Sequence, residues 1–171
     1  AVEFFFDFGS PTAYLAWTQL PRLAQDAGAQ LVWRPMLLGG VFKATGNASP
    51  VMVPAKGRWM SQDMARWARR HGVALAMNPH FPINTLTLMR GATGLQMRQP
   101  ADFERYVDTV FRAMWETPRN MGDAAVLAQV LQQPRAWLIA HAEAELSPAQ
   151  QQAFRAGCRR RVDGEPMAYL L

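Results

Sequence analysis

Cysteine is almost absent: the 171 residues contain one, Cys158. A single thiol excludes an internal disulfide framework, a Cys-x-x-Cys redox pair and a cysteine-rich zinc site. Lying in an Arg-rich helical stretch, it reads as inert. Lysine is nearly as scarce, with only Lys43 and Lys56. The three histidines, His71, His80 and His141, stand far apart without metal-ligand spacing, so no metal site is expected. No G-x-S-x-G elbow, G-x-x-x-x-G-K-[ST] loop, G-x-G-x-x-G turn or H-E-x-x-H pair occurs, which removes several common hydrolase, nucleotide-binding and metalloprotease signatures. No uncharged apolar run approaches the roughly 20 residues that a bilayer-spanning helix needs. The first residues, Ala1-Val2-Glu3, lead directly into an aromatic run without a basic stretch before it, so the expectation is a cytoplasmic protein.

What is present is apolar bulk: half of the residues are hydrophobic and 11% aromatic, enough for the core of one globular domain, or one domain with a short appendage. The net charge of +5 admits nucleic acid, an acidic surface or small anions as partners. The arginines are scattered, with one run at Arg159-Arg160-Arg161. A nucleic-acid binder usually carries a contiguous basic footprint, so neither nucleic acid nor membrane is expected as a partner.

Residues 2–8 form a nearly continuous apolar run broken by Glu3 and Asp7, the pattern of a strand covered on both faces. Gly9 ends it. Ser10-Pro11 then offers an N-cap with proline at the first helical position, and Ala13, Ala16, Trp17, Leu20, Leu23, Ala24 and Ala27 repeat along one helix face up to Gly28. Residues 30–36 read as a second strand, joined to the first by a parallel crossover. Residues 37–54, rich in Gly, Pro, Asn, Ser and Thr, read as a long loop of the kind that serves a binding site. Beyond it lie helical patterns through Met60, Met64, Trp67 and Ala68, through Thr85, Leu88, Met89, Ala92, Leu95 and Gln96, and through Phe103, Tyr106, Val107, Val110, Phe111 and Met114. A proline-punctuated loop at 77–82 separates the first two. The Met and aromatic residues of these helices read as core filling.

Ser10 stands out among polar residues. At the junction of a strand and a helix it meets unsatisfied helix-end amides, and its hydroxyl could donate to a thiolate or carboxylate. The same Ser-Pro pair is also simply a good N-cap. Lys43 and Lys56 fall in or just after the long loop, which fits either anion contacts or ordinary solvation.

The string Val2-Glu3-Phe4-Phe5-Phe6-Asp7-Phe8-Gly9-Ser10-Pro11-Thr12-Ala13-Tyr14-Leu15-Ala16 resembles the opening of the 2-hydroxychromene-2-carboxylate isomerases. Further matches are Arg34-Pro35-Met36-Leu37-Leu38-Gly39-Gly40-Val41-Phe42, the segment from Lys56-Gly57-Arg58-Trp59-Met60 to Asp63, Pro79-His80-Phe81-Pro82-Ile83-Asn84-Thr85 and Asn120-Met121-Gly122-Asp123. That family resembles the kappa-class glutathione transferases, in the DsbA-like branch of the thioredoxin fold. The resemblance implies an α/β chain: an incomplete thioredoxin-like βαβ unit with a large helical subdomain, mostly α overall. It implies glutathione as cofactor, a small aromatic carboxylate as substrate and a step in aromatic-compound catabolism. Ser10 would hydrogen-bond the glutathione sulfur, with Lys56 and Asn47 as further cofactor contacts and Lys43 and Asn84 as substrate contacts.

The resemblance ends near Gln132. The family's second thioredoxin half, with its Val-Pro loop, does not follow. Instead, about residues 126–171 resemble the helical amino-terminal domain of release-factor glutamine methyltransferases. The expected organisation is therefore a βαβ half at 1–36, loop and helical insertion at 37–132, and a helical tail at 133–171 with helices near 134–142 and 148–162. Such a chimera would be an isomerase-like enzyme impaired by the missing half, or a non-catalytic interaction module engaging a protein partner through its tail. A homodimer would be one way to cover the strand edges left free.

Overall fold

The computed structural model describes residues 1–132 and Gln152. Apart from Gln152, the expected tail domain at 133–171 and its two helices, with Cys158, His141 and the Arg159–Arg161 run, therefore lie outside the described residues.

Strand β1 (Val2–Phe6) and strand β2 (Leu31–Pro35) pair in parallel, from Val2 opposite Leu31 to Phe6 opposite Pro35. β1 is shorter than its apolar run because the Asp7 carboxylate accepts the Gly9 amide and turns the chain. Between the strands the single expected helix is two, α1 (Pro11–Trp17) and α2 (Leu20–Asp26). Pro21 explains the break, since it has no N–H to give the Trp17 carbonyl and its ring would collide with that group in a continuous helix. Thr18 Oγ1 and the Gln19 amide close α1 onto the Leu15 and Ala16 carbonyls.

The expected long loop is largely helical as well. Helix α3 (Leu38–Thr45) ends at left-handed Gly46, and a short 3-10 turn (Pro50–Met52) precedes α4 (Pro54–His71). α5 (Leu86–Arg98) and α6 (Pro100–Trp115) follow where the apolar spacing places them, and α7 (Ala124–Leu131) starts at Asp123, whose carboxylate accepts the Ala125 and Val126 amides.

The core is aromatic. Phe4, Phe6 and Phe8 of the first strand and turn are buried against Trp33, Tyr106 and Phe111, with Phe8 and Phe111 rings 4.9 Å apart edge to face. α5 crosses α6 closely because Gly91 faces Tyr106. The buried Tyr106 hydroxyl donates to the Leu88 carbonyl at 2.8 Å, and burial raises its pKa. A Cβ on Gly91 would overlap that hydroxyl and lie 2.9 Å from the ring carbon bearing it. Gly91→Ala is therefore expected to destabilise the chain by about 2 kcal/mol through overpacking. Urea titration checks this, and an unchanged midpoint would mean that the helices separate freely.

Candidate functional site

Two buried side chains fix the turn after β1. Trp115, fully buried at the end of α6, donates from Nε1 to the Phe8 carbonyl at 2.7 Å. Asp7, only 2% exposed, accepts the Gly9 amide at 2.8 Å through one oxygen and the Leu38 amide at 2.7 Å through the other. One carboxylate thus ties the turn to the first residue of α3. Gly9 itself sits where an added Cβ would press on Thr85 and Asp7, at 3.2 and 3.3 Å.

This framework sets Ser10 at the N-cap of α1 in extended conformation. Its Oγ accepts the Ala13 amide at 3.1 Å and lies 2.9 Å from Thr12 Oγ1. α1 is two turns long, not the five expected from the apolar spacing, so the macrodipole is a smaller contribution here than a continuous helix would give. The hydroxyl and its immediate neighbours carry the polarity of this corner.

Ser10 opens onto a cavity of about 510 Å³ between the turn, α3, the 3-10 turn and α4. Phe42, Met60, Met64, Met77 and Phe81 give it an apolar lining. Asn47, just after α3, and Lys56, in the first turn of α4, add polar groups, and Lys56 is the charged residue among the described ones that line it. An apolar cavity with a few convergent polar groups is the usual form of a small-molecule site. Phe81 is held in place through Asn78, a buried side chain that donates to the Met114 and Arg119 carbonyls and accepts the His80 amide.

A wider groove runs past Trp17, Trp33, Asp108 and Arg112. Arg112 there is already engaged: it bonds both Asp108 and Glu116, and the bond to Asp108 raises its pKa. Tyr14, also on this groove, donates to the Ala74 carbonyl, and burial ahead of the nearby Glu116 raises its pKa. On the Ser10 cavity, by contrast, Lys56 has no ion-pair partner among the described residues.

Of the residues singled out from sequence, Ser10, Asn47 and Lys56 come together at this cavity. Lys43 lies exposed on the last turn of α3 and Asn84 accepts the Leu86 amide at the start of α5; neither is part of the lining. Sequence reasoning missed Asp7, Trp115 and Thr12. For Asp7 the signal was available: a carboxylate between two phenylalanines at the entry of a Gly-Ser turn. Among the described residues no cluster of three or more His, Cys, Asp or Glu is arranged to hold a metal, and no helix is long and apolar enough to cross a membrane.

Comparison with known proteins gives one family match, the DSBA-like thioredoxin domain, over residues 1–170. It continues past the point near Gln132 where the quoted isomerase motifs end. A 2-hydroxychromene-2-carboxylate isomerase of Pseudomonas putida is 32% identical over 116 residues, covering 67% of this chain and 55% of that protein. Glutathione S-transferase kappa 1 of Rattus norvegicus is 27% identical over 128 residues, 72% of this chain and 57% of that protein. The chain thus spans just over half the length of these two relatives. A solved 2-hydroxychromene-2-carboxylate isomerase superposes with a TM-score of 0.71 at 26% identity, covering 96% of this chain and 82% of that one. A release factor glutamine methyltransferase of Bordetella pertussis is 50% identical over 50 residues, 29% of this chain and 18% of that protein.

Proposed function

The chain belongs to the DSBA-like thioredoxin domain family, and from that premise we propose that it is a glutathione-dependent isomerase of the 2-hydroxychromene-2-carboxylate type, acting in cytoplasmic aromatic-compound catabolism. The observation that carries this reading is the Ser10 hydroxyl at the mouth of an apolar cavity whose lining also includes Lys56 and Asn47. The relatives named as isomerases and as glutathione transferases support it.

The residues suit the cofactor. A serine hydroxyl has one proton to give and two lone pairs. With the Ala13 amide on one lone pair, Ser10 can still donate to a sulfur in front of it. A donor aimed at the sulfur stabilises its anionic form and lowers the thiol's pKa. Glutathione held by Ser10, Asn47 and Lys56 would supply a thiolate nucleophile for reversible addition to a conjugated carbon of the substrate. The isomerisation needs no oxidant. Met60, Met64 and Phe81 offer apolar, polarisable surface to an aromatic ring. Lys56 attracts the carboxylates of cofactor and substrate, and Asn47 adds a neutral amide.

The test is calorimetric titration of glutathione, followed by an assay on 2-hydroxychromene-2-carboxylate with and without it. Binding and glutathione-dependent turnover are expected. Lys56 is exposed, so Lys56→Met is expected to raise KM by about three- to fivefold and to leave kcat near its starting value, as befits a solvent-screened charge. That difference should shrink as salt is added. Absence of glutathione binding would overturn the reading in favour of a non-catalytic interaction module.

A further inference from the structure

Ser10 Oγ lies 2.9 Å from Thr12 Oγ1 and 3.1 Å from the Ala13 amide, and both hydroxyl residues line the cavity. The amide can only donate, so it occupies one lone pair of Ser10. The hydroxyl pair can run either way. If Ser10 donates to Thr12, its single proton is used and it has nothing to offer a sulfur in the cavity. If Thr12 donates to Ser10, both lone pairs of Ser10 are filled and its proton is free to point at a ligand. Which direction holds is decided by what the ligand needs from Ser10.

Resting on the glutathione reading, we infer that Thr12 is a positioning residue whose hydroxyl sets the direction of the Ser10 proton. An anionic sulfur in the cavity draws the Ser10 proton toward itself, and Thr12 then takes over as donor to Ser10 Oγ. The result is a chain from Thr12 Oγ1–H to Ser10 Oγ–H to sulfur in which each bond polarises the next. A neutral thiol makes no such demand, and the pair can relax to Ser10 donating to Thr12. The differential favours the thiolate, which is what lowers a pKa. No covalent change occurs in either residue; two protons rotate about C–O bonds. Thr12 is exposed on its outer side and caps nothing by its side chain, so its removal leaves the N-cap bond from Ala13 to Ser10 intact.

Thr12→Val keeps the shape and removes the hydroxyl, whereas Thr12→Ser keeps the hydroxyl and removes the methyl. The readout is the ultraviolet absorbance of the bound glutathione thiolate as pH is varied, taken as the difference from protein alone so that Cys158 cancels. In Thr12→Val the midpoint is expected to rise by about half a pH unit relative to the unaltered chain, the scale of cooperative strengthening in one charge-assisted bond. Thr12→Ser should restore it. Equal midpoints in Thr12→Val and the unaltered chain, with a clear thiolate band in both, would overturn this inference and leave the glutathione reading standing. No thiolate band in the unaltered chain at saturating glutathione would overturn the reading and the inference together.

Discussion

Replacing Ser10 by alanine is expected to lower kcat/KM for glutathione-dependent isomerisation by about a hundredfold or more, the usual effect of removing one pre-aimed donor from a developing or resident anion. The effect has a chemical part and a structural part, and they can be separated. Ser10 is also the N-cap of α1, accepting the Ala13 amide, so alanine there costs about 1 kcal/mol of stability as well. Glycine is tolerated at an N-cap at a cost of only a few tenths of a kcal/mol, and it too has no hydroxyl. Ser10→Gly should therefore lose as much activity as Ser10→Ala while melting close to the unaltered chain. The bound thiol in both variants should titrate nearer the roughly 8.5 of an unperturbed thiol. If both variants kept activity within about threefold of the original, a purely structural N-cap would account for Ser10, and the proposed chemistry would fail.

The parts of this site that were readable in the sequence are those with a local cause. Ser10-Pro11 after an apolar run announces a strand-to-helix junction by itself, and α6 announces itself through Phe103, Tyr106, Val107, Val110, Phe111 and Met114. α3 was not readable. Leu38, Val41 and Phe42 have helical spacing, but Gly39 and Gly40 stand in its first turn, and each glycine in a helix costs on the order of 1 kcal/mol against alanine. What overrides that cost is tertiary: Asp7, 31 residues earlier, accepts the Leu38 amide and begins the helix from outside. The same long-range contact decides the fate of the candidate polar residues. Lys43 and Asn47 are four apart in sequence, yet the helix ends at Gly46 between them, and only Asn47 turns into the cavity lining. Asn84 carries a short-range cue, since Asn two residues before a helix amide caps it readily. The break at Pro21 went unread although its cue is local, because proline inside an apolar helical pattern ends or kinks it.

The second large effect concerns Trp115, which connects the core to the site. Trp115→Ala is expected to lower the free energy of unfolding by about 3–5 kcal/mol, the range for emptying a large aromatic position. The side chain is fully buried, and its ring packs 5.7 Å from Phe81, itself part of the cavity lining. Trp115→Phe separates packing from hydrogen bonding. It keeps most of the apolar contact but leaves the Phe8 carbonyl without the indole N–H, which costs about 1–3 kcal/mol if no water can enter. Phe8 is two residues before Ser10, so freeing its carbonyl removes one of the contacts that hold the Gly9-Ser10 turn. Chemical denaturation should rank the chains as original, then Trp115→Phe, then Trp115→Ala. Glutathione affinity should fall in Trp115→Phe even at temperatures where it is fully folded, because the turn and Phe81 rest on the same ring. A Trp115→Phe chain as stable as the original, with unaltered glutathione affinity, would show that Asp7 alone holds the turn.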